Sequence, residues 1–465
     1  MSEPFNCISP VDGSVYATRH YASDQDIADC FSSAENAQKH WRTASLSERA
    51  TLCSAAVDAL LKHKDAIAEE ITWQMGRPIR YSAGELNGFE ERARYMIALA
   101  ENKLQAIQLT DRPGFKRFIK REPHGVVLSI TPWNYPYLTA VNSVIPALMA
   151  GNVVVMKTSQ QTPLVSERLA QAFSEAHLPE GVFQYLHLDH ESTAKVIQSG
   201  QVNYVSFTGS TVGGIKVEQA AAGQFLELGL ELGGKDPAYV RNDAQLSVAV
   251  ENLVDGAYFN SGQSCCGIER IYVQRDIYES FVDQFVALVK KYKLGDPTDV
   301  ETTLGPMVSI DAADDVRHQM NNALHVGAKG HIDASMFEVD DGEGAYLAPQ
   351  VFTEVSHEMG LMRNESFGPL VGIMSVDNDE QAIELMNQSQ YGLTASIWTE
   401  DEQAALTIGD QLLTGTVFMN RCDYLDPGLA WAGCKQSGKG CSLSEVGYER
   451  LTRPKSFHFV QGESS

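Results

Sequence analysis

Apolar residues recur at three- to four-residue intervals through the first hundred positions, and the period changes after that. Ser23 precedes a segment in which Ile27, Phe31, Ala34, Ala37 and Trp41 fall on one face of a helix. Gly76-Arg77-Pro78 stops a second helix and Gly84 precedes a third, so residues 23–104 read as helical cover for a sheet that follows. From Lys116 the apolar Phe118 and Ile119 lie among charges ahead of Pro123, the pattern of an exposed strand.

Strands then alternate with helices. The apolar runs predict strands over 126–130, 153–157, 183–186 and 204–207, with helices over 138–150, ended by Gly151, and from Thr162-Pro163 onward. Such alternation implies right-handed crossovers and a parallel, doubly wound α/β sheet whose ligands lie at the carboxyl ends of the strands. A second alternation begins after Lys235, with helices near 244–259 and 276–292 and a strand at 271–273. Residues 333–344 are Gly- and Asp-rich and read as a surface loop, while 456–460 alternate like an edge strand that invites pairing with another subunit.

Composition narrows the function classes. A net charge of −24 over 465 residues gives no basic footprint for nucleic acid. The N-terminus lacks a basic region followed by an apolar one, and no apolar run of about 18 residues could span a bilayer, so a cytoplasmic enzyme without membrane partners is expected. Six of the eight cysteines are scattered without ligand spacing, and no metal site or disulfide framework is expected.

The remaining pair, Cys265-Cys266, sits in Phe259-Asn260-Ser261-Gly262-Gln263-Ser264-Cys265-Cys266-Gly267, where glycines leave a thiol sterically reachable. Upstream, Glu231 lies in Leu230-Glu231-Leu232-Gly233-Gly234-Lys235, so the chain carries a thiol and a base, the parts of acyl-enzyme chemistry. Asn134, between prolines at a strand end, is placed to donate to an oxyanion. Lys157 ends another strand, and Thr208-Gly209-Ser210 opens a helix whose free N–H groups attract an anion. That turn alone does not identify a cofactor, because it is not the G-x-G-x-x-G fingerprint.

Together Thr131-Pro132-Trp133-Asn134-Tyr135-Pro136, the Lys157 strand end, Phe207-Thr208-Gly209-Ser210, the Glu231 run, Gly262-Gln263-Ser264-Cys265, Glu365-Ser366-Phe367-Gly368-Pro369 and Gly433-Cys434-Lys435-Gln436-Ser437-Gly438 resemble, in order and spacing, the aldehyde dehydrogenase superfamily. The resemblance implies Cys265 as nucleophile, Cys266 as its non-catalytic neighbour, Asn134 as oxyanion donor and Glu231 as the base that activates water. It implies NAD contacts from Trp133, Lys157, Gln160, Gly209, Ser210, Leu232, Glu365 and Phe367. Gln160 stands where NAD-preferring members often carry an acid, which leaves NADP open beside NAD. A substrate tunnel would use Tyr135, Asn142, Ser264, Leu425 and Trp431. Members that accept succinate semialdehyde tend to carry arginine at the Asn142 position, so an uncharged, aromatic or medium-chain aldehyde is expected. Where the family often has a second carboxylate, this chain has Ser442, leaving Glu231 as the only candidate base.

The resemblance also implies a Rossmann-like cofactor domain (1–104 and 124–233), an α/β catalytic domain (234–440) and a small β oligomerisation arm (105–123 and 441–465), assembled as a homodimer or homotetramer. Glu227, in the cofactor domain, and Arg453, in the tail, are expected to form a reversed ion pair. Two alternatives stand beside hydrolytic oxidation: a CoA-acylating dehydrogenase, which generally lacks the base, and a non-catalytic protein on the same scaffold.

Overall fold

A computed structural model describes residues 3–461. It opens with an antiparallel hairpin, Pro4–Ile8 against Val15–His20, that the helical periodicity did not announce. Five helices follow: Asp24–Trp41, Leu46–Leu61, Lys64–Met75, Ile79–Ser82 and Gly84–Lys103. Ser23 caps the first through a capping box with Asp26. Gly76 ends the third at φ 84°, a left-handed conformation suited to glycine, and a Cβ there would come within 2.8 Å of Pro306.

The central sheet has six strands in the order Gly438–Lys439, Glu227–Glu231, Tyr204–Thr208, Val126–Thr131, Val153–Thr158 and Phe183–Tyr185. All pair in parallel except the first, which runs antiparallel to Glu227–Glu231. Val126–Thr131 and Val153–Thr158 are buried at every residue because helices cover both faces, which is why they read as continuous apolar runs. The helix expected over 138–150 is Pro136–Met149, with proline at its first position where no N–H is needed.

A second sheet of seven strands runs Lys329–Gly330, Gln350–Thr353, Leu370–Val376, Ile268–Gln274, Asp236–Val240, Thr394–Trp398 and Thr416–Met419, parallel except for its first strand. The expected strand at 271–273 is the centre of Ile268–Gln274, and residues 333–344 are loop apart from one turn of 3₁₀ helix at Ala334–Met336.

A third sheet joins Thr452–Val460 to Phe115–Pro123 and Ile107–Gln108, all antiparallel. Phe118 stacks on Phe457 at 4.7 Å between ring centroids, and Thr452–Val460 keeps one edge unpaired within the described residues. Arg453 stands in register with Glu122 and makes no ion pair with Glu227, so that expectation fails. Glu122 instead meets Arg42 and Lys455.

Candidate active site

The nucleophile loop is held in an unusual backbone shape. Asn260 (φ 55°), Ser261 (φ 57°) and Gly262 (φ 70°) are consecutive left-handed residues, a strained run that the surroundings must fix. Side chains from three directions do so. Arg77 Nε donates to Asn260 Oδ1 (3.2 Å), Ser261 Oγ to the Gly305 carbonyl (2.7 Å), and Val308 N to Gln263 Oε1 (2.7 Å). A Cβ at Gly262 would lie 2.2 Å from the Gly368 carbonyl oxygen, so only glycine fits. The loop delivers Cys265 half-buried and Cys266 buried, both as free thiols, with the Cys266 thiol pushed well above its ordinary value by a hydrogen bond with the Cys265 thiol and by burial.

Asn134 follows the strand Val126–Thr131. Its carbonyl accepts from Arg77 Nη2, and Arg77 also forms a buried ion pair with Glu85. Glu85 in turn accepts from the backbone N–H of Tyr137 (2.7 Å) and Leu138 (3.3 Å) at the N-terminus of Pro136–Met149. The Asn134 amide donates to the Gln263 carbonyl (3.1 Å), two residues before Cys265, which ties the proposed oxyanion donor to the nucleophile loop.

Glu231 ends its strand, with Thr208 Oγ1 donating to one carboxylate oxygen (3.1 Å) and Ser442 Oγ to the other. Ser442 thus occupies the base's flank as a hydroxyl donor. Burial raises the Glu231 pKa, opposed by the bonds from Ser442 and Thr208 and by the Arg92 charge. A carboxylate poised upward in this way is a stronger proton acceptor than one at its ordinary value.

Cys265 and Glu231 line one cavity of about 280 Å³, together with all five expected tunnel residues, Tyr135, Asn142, Ser264, Leu425 and Trp431. Leu232, expected at the cofactor, also lines this cavity. A larger cavity of about 390 Å³ beside Tyr81 and Tyr292 contains neither nucleophile nor base. The sequence reading missed Arg92. It enters from helix Gly84–Lys103 and donates from Nη1 to Asn142 Oδ1 (3.2 Å) and the Leu138 carbonyl (2.9 Å). An arginine therefore does reach the Asn142 position, by another route. Asp423 also lines the cavity, and burial pushes its carboxyl up to about 8.

A second cavity of about 250 Å³ is lined by Lys157, His190, Phe207, Ser210, Gly213 and Lys216 among others. Ser210 Oγ caps the helix Thr211–Ala221 by accepting from Gly213 N (3.1 Å). A Cβ at Gly209 would strike the Phe207 ring at 2.7 Å. Burial pushes Lys157 down to about 8, with Asp189 opposing. Cations and a helix N-terminus around one cavity suit the polyanionic half of a dinucleotide. Gln160 lies outside this lining, and its amide bonds the Tyr21 hydroxyl.

Between the two sheets Glu365 Oε1 accepts from Gly234 N (3.0 Å), and burial pushes this carboxyl up to about 7. Phe367, at φ 50°, packs edge-on to Trp133 at 5.7 Å. Its backbone N–H is fixed by Glu269 (2.9 Å), itself paired with buried Lys235 at 2.5 Å. Among the described residues no group of three or more His, Cys, Asp or Glu side chains could hold a metal ion, and no helix is long and apolar enough to cross a membrane.

Comparison with known proteins matches this arrangement. A succinate semialdehyde dehydrogenase [NAD(P)+] of Escherichia coli K12 is 32% identical over 451 residues, covering 95% of this chain and 94% of that protein. A succinate-semialdehyde dehydrogenase [NADP(+)] of Mycobacterium bovis is 32% identical, covering 97% and 99% respectively. Among solved structures, betaine aldehyde dehydrogenase of Staphylococcus aureus in complex with NAD+ superposes with a TM-score of 0.93 at 29% identity, covering 100% of this chain and 95% of that one. An NAD-dependent aldehyde dehydrogenase of Sinorhizobium meliloti gives 0.95 at 30%, covering 100% and 92%. A family model described as the aldehyde dehydrogenase family matches residues 1–457, and the chain belongs to that family.

Proposed function

We propose that the protein oxidises an aldehyde to a carboxylic acid through a thioester on Cys265 that water hydrolyses. The chain is an NAD(P)-dependent aldehyde dehydrogenase. The Cys265 thiolate attacks the carbonyl carbon, and the resulting oxyanion is held by the Cys265 backbone N–H and the Asn134 side chain. Lys157, Ser210, Glu365 and Phe367 would hold NAD(P)+, with Trp133 and Gly209 shaping the approach, and the bound nicotinamide would supply the acceptor for the hydride that leaves the carbonyl carbon as the thioester forms. Glu231 then takes a proton from the water that attacks the thioester, releasing the acid and restoring the thiol. The observation that carries this reading is that Cys265 and a carboxylate with a raised pKa share one cavity.

Glu231→Gln tests it. Rapid mixing with an aldehyde and cofactor should give a burst of about one reduced nicotinamide per site, followed by turnover slowed about 10²- to 10⁴-fold, the usual weight of general-base catalysis. Steady turnover at the parent rate would reassign the base. The presence of Glu231 favours water over coenzyme A as the acyl acceptor, and over a non-catalytic role for the scaffold.

The three-part division fits this chemistry, with the cofactor on the central sheet, the nucleophile on the second and the third sheet as an arm. That arm supports a homodimer or homotetramer, because its unpaired edge and the exposed Phe459 and Val460 offer a surface for another subunit. Eight free cysteines suit the reducing cytoplasm.

A further inference from the structure

We infer that Glu269 positions the nicotinamide end of the cofactor, by fixing the turn that carries Glu365 and Phe367. The inference rests on the reading of those two residues as cofactor ligands and goes beyond it. Glu269 follows Cys265 by four residues and lines neither the substrate cavity nor the Lys157 cavity, so it acts through its neighbours. It stands on the strand Ile268–Gln274, whose neighbour Asp236–Val240 pairs Asp236 with Ile268 and then Pro237 with Arg270. Glu269 is thus the extra residue of a bulge, a device that re-aims one side chain out of the ladder.

The carboxylate so aimed meets the turn directly. Glu269, 3% exposed, accepts from Ser366 N–H at both oxygens (3.1 and 2.9 Å), from Phe367 N–H (2.9 Å) and from the Lys235 ammonium (2.5 Å). Successive N–H groups converging on one anion form a concave nest, and here the anion is a buried side chain of the protein. The turn needs such a hold. Phe367 at φ 50° is a bulky residue in the left-handed region, a conformation that persists only where the surroundings over-determine it. Lys235, itself 1% exposed, also donates to Ser366 Oγ (2.9 Å). That hydroxyl donates to Gln319 Oε1 (2.8 Å), and Gln319 Nε2 donates to the Glu365 carbonyl (3.3 Å). A buried ion pair adds little stability over apolar packing of like volume, and what this one contributes is the shape of the turn. Lys235 follows Glu231 by four residues as Glu269 follows Cys265, so the pair ties the segments of base and nucleophile to the cofactor's turn.

Two readouts test this, the first on the cofactor-free protein. In Glu269→Gln, hydrogen exchange at Ser366 and Phe367 should speed up about 10- to 100-fold, the worth of one charge-assisted hydrogen bond, while the Asn260–Gln263 loop keeps the parent's rates. Single turnovers follow, with enzyme in excess over propanal and NAD+ saturating. The rate constant for nicotinamide reduction should fall about 10- to 100-fold, the cost of misplacing a reacting group by about 1 Å, and deuterium at carbon 1 of propanal should slow it further. A purely structural role would speed exchange throughout the chain and lower the amplitude with the rate constant kept, which overturns the proposal. Because Gln leaves Lys235 buried without its partner, Glu269→Leu with Lys235→Met serves as the second variant and should give the same two effects. Parent-like exchange and reduction in that pair also overturn the proposal. Glu365→Leu checks the reading beneath it: an unchanged rate constant there takes the cofactor off this turn, a failure separate from that of Glu269.

Discussion

Arg77→Met would remove a cation on which two structures depend. Arg77 is 2% exposed and divides its guanidinium among Glu85, the Asn134 carbonyl and Asn260 Oδ1. Methionine keeps much of the stem's volume and leaves Glu85 buried without its partner. Breaking a buried ion pair from one side costs about 3–5 kcal/mol. Glu85 retains the N–H groups of Tyr137 and Leu138 at a helix N-terminus, so the loss should fall at the lower end, about 3 kcal/mol. A chain of 465 residues has an unfolding entropy on the order of 1 kcal/mol/K, so Tm should drop by about 3 °C. Catalysis should suffer more. Deleting one oxyanion donor costs about 10²- to 10³-fold in kcat, and a donor displaced with its loop should cost about tenfold. Calorimetry and steady-state nicotinamide absorbance on Arg77→Met, Glu85→Gln and the double variant measure both effects. The reasoning fails if the two single losses in Tm simply add in the double variant, or if kcat is unchanged when Arg77 is replaced.

Asp236, buried and accepting from Thr394 N (3.1 Å) and Oγ1 (2.6 Å), is pushed from 3.8 to about 8 by burial. The folded chain thus holds a proton that the unfolded chain releases above pH about 4, so its contribution is fully present below that value and is lost as pH rises through about 8. Asp236→Asn should flatten the fall of Tm across this window, and an unchanged slope would reject the assignment. Phe459→Lys with Val460→Lys places charge on the outer strand Thr452–Val460 and should shift the protein to smaller species in light scattering, while an unaltered mass would move the subunit contact elsewhere.

The central sheet was legible because strands buried on both faces must be apolar throughout, as in Val126–Thr131 and Val153–Thr158. The hairpin Pro4–Ile8 and Val15–His20 escaped because much of it is exposed and its short alternation resembles loop. Cys265, Glu231 and Asn134 were readable from their motifs, and their common location follows from where the strands end. Arg92 was missed although a signal existed. It falls on the apolar stripe of its helix, three residues after Phe89 and four before Met96, while Arg94 two positions on sits at the surface with Glu90 and Asp58. The bond from Ser442 to Glu231 could not be read locally, because it depends on Gly438 pairing across the sheet with Glu231 itself.

That last pairing bears on when the enzyme comes alive. The strand carrying the base is completed by Gly438–Lys439, and the hydroxyl that steadies its carboxylate follows at Ser442, all within the final tenth of the chain. Synthesis runs from the N-terminus, so the Cys265 loop is made long before its base can be set. The base is therefore set last, once the tail has crossed the sheet.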